Sequence, residues 1–279
     1  MSMRSILVPI EQHDLMTSTL ETALLVARRF GSYVEGFAMR PAIDNFVAMD
    51  PVSSMAMATV RQNDAEIAKQ ARSLFETFMQ QHVPSAAAGN PSMSYGWLDA
   101  APDGDNFVGS YGRVFDITVI GRPGDQPQSP RMITLEAALF ESGRPILIAP
   151  PTTPASLGEN VLVAWNCSTE QAKTIAFAMP FLHQAKKVTV LTVEGGTVPG
   201  PTGVQLARYF ERNGIAADAI TVGPEKRTTG EVILARAHAL GCDLVVKGAY
   251  TQSRLRQMIF GGTTRHILTH AMLPVLMAN

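Results

Sequence analysis

The chain has 279 residues, 46% of them hydrophobic and 17% charged, with a formal net charge of -1. That length can bury a sizeable core as one large domain or two ordinary ones, and the near-neutral balance without a lysine/arginine block argues against a nucleic-acid or membrane partner. Two cysteines, Cys167 and Cys242, are too few for a disulfide framework or a four-ligand zinc site, so a reducing cytoplasm is the expected compartment.

The opening "MSMRSILVPIEQHD" enters a strand-like run at once, without a long apolar stretch and cleavage site, and nothing approaches the ~18 consecutive apolar residues of a membrane span. The stretch "RSILVPIEQHDLMTSTLETALLVARRFGSYVEGFAM" reads as strand, polar turn, helix and second strand, because its apolar residues change from β-rich runs to three-to-four spacing. Methionines crowd "FVAMDPVSSMAMATV" (46–60), where flexible apolar filler is expected and a sticky partner surface is the alternative. Asp99, Asp103 and Asp105 in "LDAAPDGDNF" suggest a metal site superficially, but the downstream glutamate of a calcium loop is missing, so a polar turn into a helix is expected. "FDITVIGRPG" then reads as a strand with a glycine exit, and "LEAALFESGRPILIAP" as a helix and a closing strand.

After "PPTTPASLGEN", a linker rich in proline and small polar residues, the pattern is written again. The second copy predicts strands over 160–165, 187–193, 217–222, 243–247 and 274–278, and helices over 169–184, 202–213, 229–240 and 263–271. Its end, "CDLVVKGAYT" and "TRHILTHAMLPVLMAN", parallels the end of the first copy. Alternating strands and helices imply parallel pairing through right-handed crossovers, and unbroken apolar strands imply a sheet covered on both faces. The expected fold is α/β: two doubly wound, Rossmann-like parallel sheets of five strands, in domains 1–150 and 160–279 joined by a linker at 151–159. Ligands of such sheets sit beyond the carboxyl ends of the strands.

At that edge stands "KGAYTQSRLRQMIFGGTTRHIL". Gly248 ends a strand, and Gly261, Gly262, Thr263 and Thr264 stand at the start of the last helix. Glycine lets backbone N–H groups approach a ligand, a helix N-terminus favours phosphate, and the threonines can cap the helix or donate hydroxyls. A tight strand exit with a threonine cap would need the same residues, so the glycines alone leave both readings open.

The arrangement resembles the universal stress proteins in their tandem form, over essentially the whole chain. The family's nucleotide loop is glycine, two residues, glycine, nine residues, glycine, then serine or threonine. Here Gly248, Thr251, Gly261 and Gly262 stand at those stations, so the spacing is intact while Thr251 and Gly262 depart from the pattern. Thr264 matches a threonine of nucleotide-binding members. The resemblance implies that Asn166 replaces an aspartate that holds the ribose or adenine, that Ala164, Trp165 and Val193 flank the base, and that Lys247 sits beside the loop. Trp165 reads equally as a core aromatic. It further implies a nucleotide alpha-hydrolase-like fold, one adenine nucleotide (ATP with Mg2+ or Mn2+) in the second domain, and a stress-response role as a nucleotide-dependent interaction module. In the first copy Gly121 and Gly124 remain, but Met132, Ile133, Thr134 and Leu135 replace the glycine-threonine run. Bulky side chains and Pro123, Pro127 and Pro130 are expected to bar phosphate there, with Glu11 at the aspartate station. Family precedent implies pairing of the two halves through their last strands as an intramolecular pseudo-dimer, with a homodimer as a further partner.

His266 and His270, four apart, lack a third zinc ligand. Cys167 lacks a flanking cation that would activate it. Arg254 and Arg256 could reach a triphosphate or simply be solvated. No nucleophile–base constellation or Walker pattern is present, so slow ATP hydrolysis ranks below two readings: a nucleotide-responsive binding protein, or a ligand-free scaffold with decayed sites.

Overall fold

The computed structural model describes residues 3–40, 51–83, 93–124, 126, 129–223, 226–249 and 262–279, except the side chains of 51–58, 60 and 61. The first half runs β1 (Ser5–Ile10), α1 (Met16–Phe30), β2 (Tyr33–Ala38), α2 (Pro51–His82), β3 (Ser94–Leu98), α3 (Asn106–Tyr111), a 3-10 turn, β4 (Ile117–Gly121), α4 (Met132–Glu141) and β5 (Ile146–Ala149). The second runs β6 (Asn160–Ala164), α5 (Thr169–Gln184), β7 (Lys187–Val193), α6 (Gly203–Arg212), β8 (Ala217–Val222), α7 (Thr229–Ala239), β9 (Leu244–Gly248), α8 (Gly262–His270) and β10 (Val275–Ala278). The predicted elements of the second copy are present, with ends displaced by a residue, where helices fray into their caps.

The two five-stranded parallel sheets are fused into one ten-stranded sheet of order β3-β2-β1-β4-β5-β10-β9-β6-β7-β8. Every pairing is parallel except the seam, where β10 runs antiparallel to β5 with Leu276 opposite Leu147. Two edges that would otherwise stay open to aggregation are thereby closed against each other.

Strand residues alternate between two cores, each continuous across both halves. Val8, Val119, Leu147, Val163 and Leu276 face α1, α2, α5 and α6. Leu7, Ile120, Ile148, Leu162 and Val245 face α3, α4, α7 and α8. Each such side chain contributes about 1.5–3 kcal/mol by leaving water. Over the seam, α1 meets α5 through a T-shaped Phe30–Phe181 contact at 4.9 Å. Arg29 at the end of α1 donates to the carbonyls of Leu157, Gly158 and Gln184, so the proline-rich connection is held against the body.

Helix starts differ between the halves. Ser168, Thr202 and Thr228 cap α5, α6 and α7 with their hydroxyls, the last two as capping boxes with Gln205 and Glu231. This satisfies N–H groups that have no partner within a helix. In contrast, α1, α3 and α4 have no side-chain cap of this kind.

Candidate functional site

Strand alternation turns Lys247, the penultimate residue of β9, toward α8. Its ammonium donates to Gly248 O at 2.8 Å and to Thr264 Oγ1 at 3.1 Å. The residue is 8% exposed, and among the described residues no carboxylate pairs with it. Burial disfavours the charged form and pulls its pKa down from 10.5 to about 8. Thr264 is itself buried in the first turn of α8, which starts at Gly262. Its hydroxyl therefore accepts from Lys247 inside the helix, rather than capping it as one expectation held. Thr263 is half-buried and Gly262 exposed at the same helix start.

Gly248 is needed for close packing at the strand exit, the second of the two readings its position left open. A Cβ there would lie 2.6 Å from the backbone nitrogen of Gln171, so the first turn of α5 rests directly on the strand end. The Gly248 N–H is already taken by Gln171 Oε1, while Gln171 Nε2 donates to Val246 O at 3.2 Å. Gln171 is 1% exposed, and its amide ties helix to strand at the edge of the site. Sequence reading passed over it, because a glutamine one turn into a helix looks like any solvated residue.

The remaining second-half candidates divide between the two faces of the sheet. Ala164 and Val193 are buried in the core shared with α8. Trp165 lies in the opposite core, and its Nε1 donates to Pro201 O at 2.7 Å, which realises the core-aromatic alternative. Asn166 Oδ1 accepts from Ser168 N at 3.2 Å and Ser168 Oγ at 2.9 Å, so it shapes the turn into α5. Within that turn Cys167 has φ 68°, alone among the described non-glycine residues, and burial pushes its thiol pKa up. The 194–201 connection folds over this turn: Val198 N donates to Asn166 O, and a Cβ on Gly200 would lie 2.8 Å from Cys167 O. Thr251 and Gly261, with Arg254 and Arg256, lie outside the described residues. So do the side chains of most of the methionine-rich stretch 46–60.

The first half presents the opposite electrostatics at the same station. The β1–β4 and β6–β9 registers match (Leu7 opposite Thr118, Leu162 opposite Val245), so Glu11 and Asn166 occupy equivalent positions. Glu11 is 7% exposed. Its carboxylate accepts from Arg131 Nε at 3.0 Å, from the Arg131 backbone N–H at 3.4 Å, and from Thr134 Oγ1. Arg131 also pairs with Asp105 at 2.7 Å. His13, whose ring nitrogen lies 3.9 Å from Glu11, is buried and held down to a pKa of about 4. A fixed anion thus sits at the N-terminus of α4, where the helix field favours one. Glu11 therefore stands at the station where the resemblance put it. Of the bulky run expected beside it, Ile133 is 54% exposed, while Thr134 and Leu135 are fully buried. Asp103 and Asp105, expected only as turn residues, are ion-pair partners of Arg40 and Arg131.

On α8 the His266 and His270 rings stack at 4.2 Å, and among the described residues no group of three potential ligands surrounds a metal position.

Residues 159–279 match the Universal stress protein family by its family model. This half of the chain is a universal stress protein domain. The universal stress protein of Archaeoglobus fulgidus DSM 4304 superposes with a TM-score of 0.67 at 14% identity, over 100% of this chain and 99% of that one. A functionally unknown protein from Pseudomonas aeruginosa PAO1 gives 0.55 at 16% identity, over 99% and 92%. These likenesses show that the two-half universal stress fold spans the chain. No curated protein matches it. The domain match supports a stress-related function, and among the described residues no helix is long and apolar enough to cross a membrane.

Proposed function

We propose that the second half binds one adenine nucleotide, ATP accompanied by Mg2+ or Mn2+, and acts as a nucleotide-dependent interaction module in a stress response. One observation supports this reading above the others: Lys247 is a buried ammonium beside a helix N-terminus, with two neutral acceptors and no carboxylate partner among the described residues. Such a charge is costly unless an anion joins it. Phosphate oxygens would meet Lys247 and the first-turn N–H groups at Gly262, Thr263 and Thr264. Since no acidic cluster stands nearby among the described residues, the divalent ion would be carried by the phosphates.

The ligand-free scaffold is the second reading. It is favoured by Gly248 N–H and Asn166 Oδ1 being already engaged within the chain. Calorimetric titration of nucleotide-stripped protein with Mg-ATP separates the two. One site per chain, weakened five- to tenfold by Thr264→Ala, is the expected result. No heat and no thermal stabilisation at millimolar Mg-ATP would leave the scaffold, and two sites per chain would show that Glu11 does not close the first half.

A further inference from the structure

At the carboxyl edge of the first half-sheet, away from the Glu11 station, a cavity of about 260 Å³ opens between α2 and the ends of β2 and β3. Its origin lies in side-chain size. Toward its C-terminal end α2 sits tight on the sheet: a Cβ on Gly36 would come 2.8 Å from the Phe75 ring. Two turns earlier the facing residues are Ala38, Ala68 and Ala101, and three methyl groups cannot fill the gap that the helix spans. Interiors normally close such gaps with larger aliphatics. Here one wall is instead Trp97, braced by Phe75 with ring centroids 5.5 Å apart, and Leu98 lies beside it.

The rim is charged in an uneven way. Arg40 is spent on Asp64 and Asp103, at 3.0 and 2.8 Å, and Arg72 on Glu76 and Asp99. Lys69 is exposed and lacks a carboxylate partner among the described residues. An apolar floor with an aromatic wall and, among the described residues, a single available cation selects a flat apolar body carrying one negative charge. The volume lies just below the roughly 300–1,000 Å³ of sites for drug-sized ligands, which limits the body to one or two rings.

We infer that this cavity is a second ligand site, independent of the nucleotide reading, which takes a small aromatic carboxylate stacked on Trp97 with its charge at Lys69. The carboxyl edge of an α/β sheet is where ligands gather. With Glu11 occupying the central station of the first half, this cavity lies over its outer strands instead.

The test is titration of the full chain with 2-naphthoate, read by calorimetry and tryptophan fluorescence. Saturable binding at one site per chain is expected, with the neutral 2-naphthamide at least fivefold weaker. Lys69→Met should bring the acid down to the affinity of the amide. Ala68→Leu, which fills the hollow, should abolish binding of both while leaving Mg-ATP titration unchanged. The inference fails if 2-naphthoate does not saturate by millimolar concentration, if Ala68→Leu with native circular dichroism binds it as before, or if Mg-ATP competes with it. Should Ala68→Leu not fold, Lys69→Met decides, and equal affinity of acid and amide in the parent chain overturns the anionic class.

Discussion

The two halves share strand order, register and a glycine strand exit at Gly121 and Gly248, yet they carry opposite charges at that exit. In the first half Glu11 brings a carboxylate to the N-terminus of α4, where Arg131 and Thr134 hold it. In the second, Asn166 has no charge, and the residue before the glycine is Lys247, where the first half has the fully buried Ile120. One half therefore contains its own anion, whereas the other contains a cation with no carboxylate partner among the described residues. Under the nucleotide reading proposed above, a duplicated fold would thus divide its work: a half satisfied internally would serve as partner and frame, and the half left with the unmatched charge would respond.

The strongest way to sharpen that comparison is at the two glycines. Gly248→Ala would press a methyl into the backbone of α5, with Gln171 N at 2.6 Å, while Gly121→Ala would meet the ring of Pro130 at the same 2.6 Å. Backbone of a packed helix yields less than a proline side chain next to a loop. Chemical denaturation should show Gly248→Ala costing about 3 kcal/mol and Gly121→Ala about 1 kcal/mol, spanning the usual overpacking range. Equal costs would mean that the two strand exits are packed alike.

Lys247→Met tests the charge itself. Affinity for Mg-ATP should fall about 100-fold, equivalent to about 2.7 kcal/mol, while the free protein becomes more stable because a desolvated ammonium has been removed. The pH dependence follows from the folded pKa of about 8 against 10.5 unfolded. Between those values the unfolded chain binds more protons, so the stability of the free protein rises with pH across that window. Lys247→Met should flatten the rise. Nucleotide affinity should run the other way, declining as pH passes 8 and the ammonium is lost. An affinity independent of pH from 7 to 9 would remove Lys247 from the site.

Glu11→Gln probes the opposite half. The amide keeps an acceptor for Thr134 but gives up the charge facing Arg131. Because Arg131 is 38% exposed at its side chain, solvent screens part of the loss, and a cost of about 1–2 kcal/mol is expected in urea melts at neutral pH. A neutral or stabilising result would contradict the view that Glu11 serves as the anion of α4.

How much of this was legible in the residues depends on the reach of each interaction. The strands and helices of the second copy could be read because apolar spacing is a local signal, whereas the seam was implied by the family resemblance, with "PILIAP" and "PVLMAN" as suitable edge strands. Lys247 and Thr264 were picked out through the loop resemblance, but their mutual hydrogen bond was not, since it requires knowing which way β9 turns its side chains. The pairs that define the first half span far greater distances in the chain: Glu11 meets Arg131 across 120 positions, and Arg40 meets Asp103 with α2 and β3 between them in the chain. No periodicity encodes such contacts. Gln171 was illegible for the same reason, as its partner Gly248 is 77 residues away.

The smallest expected difference separates two threonines that stand at matching distances before Pro145 and Pro274. Thr134 is fully buried and donates to Glu11, with Asp105 also within 3.2 Å. Thr263 is half-buried, and its hydroxyl has no partner among the described residues. Removing a buried hydroxyl that serves a carboxylate leaves that carboxylate short of a donor, so Thr134→Ala should cost about 1–2 kcal/mol. Thr263→Ala should stay within about 0.5 kcal/mol in the free protein, as surface changes do. Adding saturating Mg-ATP supplies the discriminating step: the deficit of Thr134→Ala should stay constant, while that of Thr263→Ala should grow, because only the second half gains an anion that a hydroxyl there can meet. A deficit at Thr134 that changed with nucleotide would mean that the first half also responds, and the division of labour would fail.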